Sequence, residues 1–146
     1  MPRIAPDRGL NDEELWDGWT EICTEKIEEL SEQEFLVLMV NDPENVFVQI
    51  ARMSPNELLC EVSLGEHYED HQSAVKSLVD LGWHPPGSYV PGPNLQCVWR
   101  SETKKRARNW ITNEDARDAA GLLASTLRYV LGITDPTKIP VTRDTF

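Results

Sequence analysis

The chain has 146 residues, and its 25 Asp and Glu outnumber its 14 Lys and Arg, so the formal net charge is −11. This length is typical of one domain, large enough to bury a core without disulfides or a metal. The charge argues against general nucleic-acid binding and against adsorption to an anionic membrane, and an apolar fraction of 40% with five tryptophans excludes a disordered acidic chain.

The segment before the first predicted helix, residues 1–10, contains two prolines and a glycine and is expected to be a flexible arm. Asn11 or Asp12 then caps a helix that extends to about Leu30. Apolar residues recur along it every three or four positions, and its opposite face is almost wholly acidic.

Three strands are predicted next, and the turns between them are short. Residues 35–40 are continuously apolar, as in a strand that is covered on both faces or central in a sheet. Turn sequences at 41–45 and 54–57 separate this run from two further strands at 46–53 and 58–63. Because these turns leave no room for crossover helices, the strands are expected to form an antiparallel meander.

A second helix is predicted from about Glu69 to Leu81, and Gly82 suits the left-handed position that ends it. A rigid loop rich in proline follows. Residues 95–100 then alternate as a strand, with Leu95, Cys97 and Trp99 on one side. Residues 106–111 are expected to return as its partner strand.

The last predicted helix opens at Thr112 with a capping-box pattern and closes at Gly132. Residues 11–133 therefore form one domain, and residues 134–146 form a docked or frayed C-terminal extension. The element order is helix, three strands, helix, two strands, helix. This order predicts an α+β fold with a single antiparallel sheet and helices packed on it.

The cysteines indicate the cellular compartment of the protein. Cys23, Cys60 and Cys97 are odd in number and far apart, and the chain has no Cys-x-x-Cys pair. The N-terminus has no apolar stretch typical of a signal peptide, and the longest apolar run is too short for a membrane span. We expect a cytoplasmic protein with free thiols.

No catalytic signature is present, but two alternatives to a binding role stay open. His67 and His71, with Asp70 between them, have helical spacing for a metal site or a small hydrolase, against a structural or solvated role for both histidines. The basic run from Arg100 to Arg108 is either a solvated hairpin, a protein contact, or the RNA-binding surface of a regulator. The expectation is no enzyme, no cofactor and no metal.

The tryptophans favour a protein-contact surface. Five indoles are difficult to bury fully in one domain of this size, because each N–H needs a partner. Partly exposed aromatic surface is typical of binding sites for proteins. The residues predicted to bind a peptide or protein partner are Trp99, Trp110, Arg106 and Arg108.

The whole pattern resembles a known family. Its marks are the helix and three-strand meander, Leu81-Gly82-Trp83 followed by Pro85 and Pro86, Asn94, and a closing helix that ends at Leu131-Gly132-Ile133 before Pro136.

Over residues 12 to 139, these features resemble the YbjN-like and type III secretion chaperone-like group, in particular its actinobacterial TY-Chap branch. The resemblance implies a small, acidic α+β chaperone, often dimeric, that holds peptide segments on its sheet and helix surfaces. The function expected is therefore non-enzymatic binding of a protein or peptide, with a homodimer as a further expectation.

Overall fold

The computed structural model describes residues 11–65, 71–100 and 111–146, so the N-terminal arm lies outside the described residues. In these ranges the chain forms three α-helices and one five-stranded antiparallel sheet. The predicted α+β fold is confirmed. The helices are α1 (Asp12–Glu28), α2 (Gln72–Leu81) and α3 (Asn113–Ser125). The strands are β1 (Glu34–Asn41), β2 (Val46–Ser54), β3 (Glu57–Leu64), β4 (Leu95–Arg100) and β5 (Val141–Thr145).

The predicted meander forms the centre of the sheet. Strands β1, β2 and β3 pair consecutively and antiparallel, and β4 adds to β3, which gives the order β4-β3-β2-β1-β5. In each pair the residues directly opposite one another point to the same face. The register therefore assigns every strand residue to one of two faces.

The fifth strand differs from the one expected. Strand β5 comes from the C-terminal segment and pairs with β1, from Glu34 opposite Thr145 to Leu38 opposite Val141. Of the predicted partner strand at 106–111, only Ile111 is described. It is not in a strand, and its N–H donates to the Pro55 carbonyl at 3.0 Å. The sheet is thus extended beside β1 by a segment whose strand pairing the sequence does not predict.

The helix ends follow the predicted chemistry. The Asn11 side chain accepts a hydrogen bond from the Glu14 N–H, and Thr112 and Asp115 form the complete capping box of α3. Gly82 has a φ of 118° and ends α2, as predicted. Helix α2 begins at Gln72, and residues 66–70, where its start was expected, lie outside the described residues.

The helices lie on one face of the sheet. Arg52 on β2 donates to the carbonyl of Leu30, which follows α1, at 2.9 Å. Cys97 on β4 contacts the carbonyl of Gly82, at the end of α2, at 3.8 Å. Buried side chains of α1 and α3 join the same core cluster as the apolar residues on this face, including Val48 and Ile50. We call this side of the sheet the helix face.

Three tryptophans lie in the buried core, Trp16, Trp19 and Trp83, and the last two differ in hydrogen bonding. The Trp83 indole N–H donates to Thr126 Oγ1 at 2.9 Å. Thr126 opens a π-helical turn, Thr126–Val130, that continues α3. The indole N–H of Trp19 is also buried but has no hydrogen-bond partner among the described residues. The Trp83 indole therefore stabilises the fold through a buried hydrogen bond, whereas the Trp19 indole carries the cost of a buried N–H without a partner.

Candidate functional site

The opposite side of the sheet, which we call the outer face, carries an apolar strip. Phe35, Val37 and Met39 alternate along β1, and Phe47 on β2 lies directly opposite Met39. All four side chains are partly exposed. None of them belongs to the buried core cluster or to the partly buried side chains packed against it. The outer apolar strip, defined by these four residues, is therefore a second hydrophobic surface, separate from the core.

One border of the outer face is a loop held by a buried amide. The register places Gln96 on the outer face, opposite Glu61, and its side chain is fully buried. Its Oε1 accepts the N–H groups of Tyr89 at 2.9 Å and Val90 at 3.1 Å, and its Nε2 donates to the Val90 carbonyl at 2.8 Å. Through these bonds, Gln96 fixes the loop 84–93 over the β4 side of the outer face.

The backbone of the same strand also binds the loop. His84 and Gln96 exchange two backbone hydrogen bonds, at 2.8 and 3.0 Å. At the other end of the loop, the Asn94 side chain donates to Glu61 Oε2 at 3.3 Å. The loop is thus anchored at both ends as well as in the middle. A segment ordered in this way loses little conformational entropy when a ligand contacts it.

The other border lies beyond β1. The Phe146 ring packs on Phe35 with the ring centroids 5.2 Å apart, and 62% of Phe146 is exposed. Arg143 of β5 holds this side in place, since its guanidinium pairs with Glu34 at 2.6 Å and donates to the Glu29 carbonyl at 3.0 Å. Hydrogen bonds from Arg143 and from the Ser31 N–H lower the pKa of Glu34 to about 2.

Between its borders the outer face is a shallow trough. The loop lies above β4 and the Phe35–Phe146 pair above β1, which are separated by three strand spacings, or about 14 Å. Its floor is formed by β2 and β3, where Gln49 and Glu61 are partly exposed, whereas Ala51 and Leu59 are buried, at 1% and 4% exposure. An extended segment packs about 10 Å above a sheet. The partly exposed surface between the borders is therefore the outer apolar strip, with Gln49 and Glu61 beside it.

The chain matches one family model over residues 11–144, nearly its full length. That family, TY-Chap3, is described as "T3SS (YopN, CesT) and YbjN peptide-binding chaperone 3". The chain belongs to this family. No curated protein and no solved structure matches it. The resemblance stated from the sequence is thereby confirmed, and membership of TY-Chap3 supports a non-enzymatic, chaperone-like binding role.

The structure locates one of the four sequence-predicted binding residues of this TY-Chap3 chain. Trp99 lies opposite Leu58, which places it on the helix face, where it is partly buried and packs against the core. It is therefore not part of the outer apolar strip. The other three, Trp110, Arg106 and Arg108, lie outside the described residues.

The residues behind the two alternative functions are also only partly described. His71 is exposed and precedes α2 without a side-chain cap, whereas His67 and Asp70 lie outside the described residues. Within the described ranges, no group of three or more His, Cys, Asp or Glu side chains is placed to hold a metal ion. Arg100, at the start of the basic run, pairs with Glu57 at 2.7 Å.

A second cleft lies on the helix side of the molecule. It runs between α2 and the π-helical turn, beside Tyr129, which is 68% exposed. Its lining is mostly small and polar: His71, Gln72, Ser73, Ala74, Ser77, Tyr129 and Val130. This cleft lacks the row of apolar side chains that characterises the outer face. No described helix is long and apolar enough to cross a membrane.

Sequence reasoning did not identify the outer apolar strip or Gln96 as parts of a site. The apolar run 35–40 was a signal for the strip, since every second residue of a strand faces the side away from the helices. Gln96 carried no such signal. A glutamine that alternates with apolar residues is the pattern of a solvent-facing position, and its burial depends on a loop that the strand pattern does not position.

Proposed function

We propose that this chain is a peptide-binding chaperone domain that holds an extended, apolar segment of a partner protein on the outer face of its sheet. The observation that carries the proposal is the outer apolar strip, whose four partly exposed side chains stand outside the core between two fixed borders. A contiguous apolar surface rimmed by polar groups is typical of protein-contact sites.

The proposed binding mode follows from strand geometry. Side chains of an extended peptide alternate between two directions, so every second residue points down into the trough. Those residues contact Val37, Met39 and Phe47, while the intervening ones remain in solvent. Apolar contact supplies the affinity, since each square ångström of apolar surface removed from water contributes about 25 cal/mol.

The proposed activity is binding rather than catalysis, and the proposed location is the cytoplasm. The family description supports the first, because it names a peptide-binding chaperone. Three unpaired cysteines are consistent with the second. A homodimer also stays a proposal, and size-exclusion chromatography with light scattering tests it directly.

The experiment measures peptide affinity by fluorescence anisotropy. The probes are labelled peptides in which valine or phenylalanine alternates with serine. The test variant is Met39→Ser with Phe47→Ser, a pair of directly opposed residues on the outer face. Each side chain is at most about a third exposed, so binding gains roughly 0.5–1 kcal/mol from each, and the double variant should bind about tenfold more weakly.

The matched control is Tyr129→Ser, which removes a more exposed aromatic ring from the helix side. It should bind as tightly as the wild type. Circular dichroism and urea unfolding establish that both variants are folded. The proposal is overturned if the wild type binds no peptide of the series, or if Tyr129→Ser weakens binding while the double variant does not.

The sequence-predicted contact residues Trp99, Trp110, Arg106 and Arg108 remain a second proposed contact surface. The same assay separates the two surfaces, using Trp99→Ala and Trp110→Ala. If either of these variants loses affinity while the outer-face double variant keeps it, the partner binds at the sequence-predicted contact residues instead.

A further inference from the structure

We infer that the segment bound on the outer face is cationic, with lysine or arginine residues flanking its apolar positions. This inference rests on the proposed function, because it names the chemistry of the peptide held in the same trough. It is carried by the charged side chains around the outer apolar strip, which in the described structure are mostly carboxylates.

Carboxylates border the strip on three sides. On one side, Asp144 of β5 lies directly opposite Phe35. On the other, Glu61 of β3 is on the outer face, opposite Gln49. At the end of the strip nearest Met39 and Phe47, the exposed β1–β2 turn carries Asp42 and Glu44.

The described basic side chains lie mostly elsewhere. Three arginines form ion pairs on the helix side: Arg117 with Glu21 and Arg128 with Glu13 of α1, and Arg143 with Glu34 of β1. Arg52 points to the helix face, where it donates to the Leu30 carbonyl.

The remaining described bases do not offset the outer-face carboxylates. Lys26 and Lys76 are on helices, and Lys138 is in the 3-10 turn before β5. Arg100 shares the outer face, but it pairs with Glu57 at 2.7 Å. The outer face of the described structure is therefore net negative beside its apolar strip.

In this arrangement, apolar contacts and electrostatic attraction play different parts in recognising the peptide. Apolar contacts with the strip do not distinguish one charged peptide from another. The bordering carboxylates do, because they attract a cationic flank and repel an anionic one. At an ionic strength of about 0.1 M the screening length is about 10 Å, so charges just beyond the ends of the strip still act on the flanks.

The test compares two labelled peptides with the same alternating apolar core, one flanked by lysines and one by glutamates. The lysine peptide should bind the wild type more tightly at low salt, and the difference should shrink as salt is raised. Asp144→Asn and Glu61→Gln should each weaken the lysine peptide about two- to fivefold. The matched control is Asp17→Asn, which makes the same charge change on the exposed face of α1.

The outcomes separate this inference from the proposed function. If both peptides bind equally and Met39→Ser with Phe47→Ser weakens both, the outer face binds peptides without charge selection, and the inference is wrong. If Asp17→Asn weakens the lysine peptide as much as Asp144→Asn does, only the net charge matters, and the inference also fails. If neither peptide binds, the proposed function fails as well.

Sedimentation of the protein alone tests for a different occupant. Self-association that Asp144→Asn abolishes would place a second copy of the chain on this face, and that result would also overturn the inference. A monomer at all concentrations supports a separate partner protein.

Discussion

The buried amide of Gln96 should have two measurable effects, one on the loop that it holds and one on global stability. The substitution Gln96→Met keeps the length and approximate volume of the side chain but removes every polar atom. It eliminates the bonds from the Tyr89 and Val90 N–H groups and the bond to the Val90 carbonyl. The backbone hydrogen bonds between His84 and Gln96 remain, so the variant loosens the middle of the loop and leaves its start attached.

The magnitude follows from those three bonds. A typical intramolecular hydrogen bond contributes about 1 kcal/mol, which sets an upper value of about 3 kcal/mol for the loss. Tyr89 is 40% exposed, so the freed loop groups can turn to water and recover part of this energy. We therefore expect the free energy of unfolding to fall by about 1–3 kcal/mol.

Two measurements check this prediction. Urea unfolding gives the change in stability, and hydrogen exchange gives the protection of the Tyr89 and Val90 amides, which should drop further than that of the sheet. Gln49→Met is the matched control, since Gln49 lies on the same face but forms no described hydrogen bond to the loop. The reasoning is refuted if Gln96→Met costs less than about 0.5 kcal/mol and leaves both amides as protected as in the wild type.

Three further predictions concern other parts of the fold. Arg143 lowers the pKa of Glu34 to about 2, so the Glu34 carboxylate should stabilise the fold above about pH 4.5 and lose this effect as pH falls towards 2. Glu34→Gln should remove this part of the acid dependence in urea unfolding, and an unchanged profile would contradict the prediction. Trp83→Phe breaks a buried hydrogen bond, whereas Trp19→Phe removes a buried donor that has no partner among the described residues. Trp83→Phe should therefore destabilise the fold by about 1–3 kcal/mol more than Trp19→Phe in the same assay, and equal losses would refute this difference in hydrogen bonding. Burial raises the pKa of the half-buried Cys97 thiol. Cys97 should therefore react with a thiol reagent near pH 8 more slowly in the native protein than in the urea-unfolded chain, and equal rates would be inconsistent with this burial.

The fold was largely predictable because its elements are encoded locally. The cap at Asn11, the capping box at Thr112 and the glycine at position 82 are side-chain and backbone preferences that act within one turn. The meander followed from short turns, which permit only antiparallel neighbours.

Strand β5 was not predictable in the same way. Its sequence, Val-Thr-Arg-Asp-Thr, has only Val141 buried, so no hydrophobic alternation marks it as a strand. Its stability comes from backbone pairing with β1 and from the ion pair between Arg143 and Glu34, residues that are far apart in the chain. Such a pairing is a tertiary effect, and local propensity does not encode it.

The candidate site was only partly predictable for a related reason. The apolar run 35–40 correctly indicated a strand that is apolar on both faces, but a run does not show which face is covered by helices. The aromatic content favoured Trp99 as a contact residue. However, Trp99 alternates with Leu95 and Cys97 along β4, so it lies on the helix face with them.

The position of a bound peptide tests the central claim most directly. Methyl NMR spectra of the wild-type protein, recorded during titration with the lysine-flanked peptide, report contacts at Val37 and Met39 on the outer face and at Val79, Leu81 and Val130 on the helix side. We predict that the shifts will be concentrated at Val37 and Met39. Shifts confined to Val79, Leu81 and Val130 would contradict the account, because the peptide would then bind beside α2 and not on the sheet.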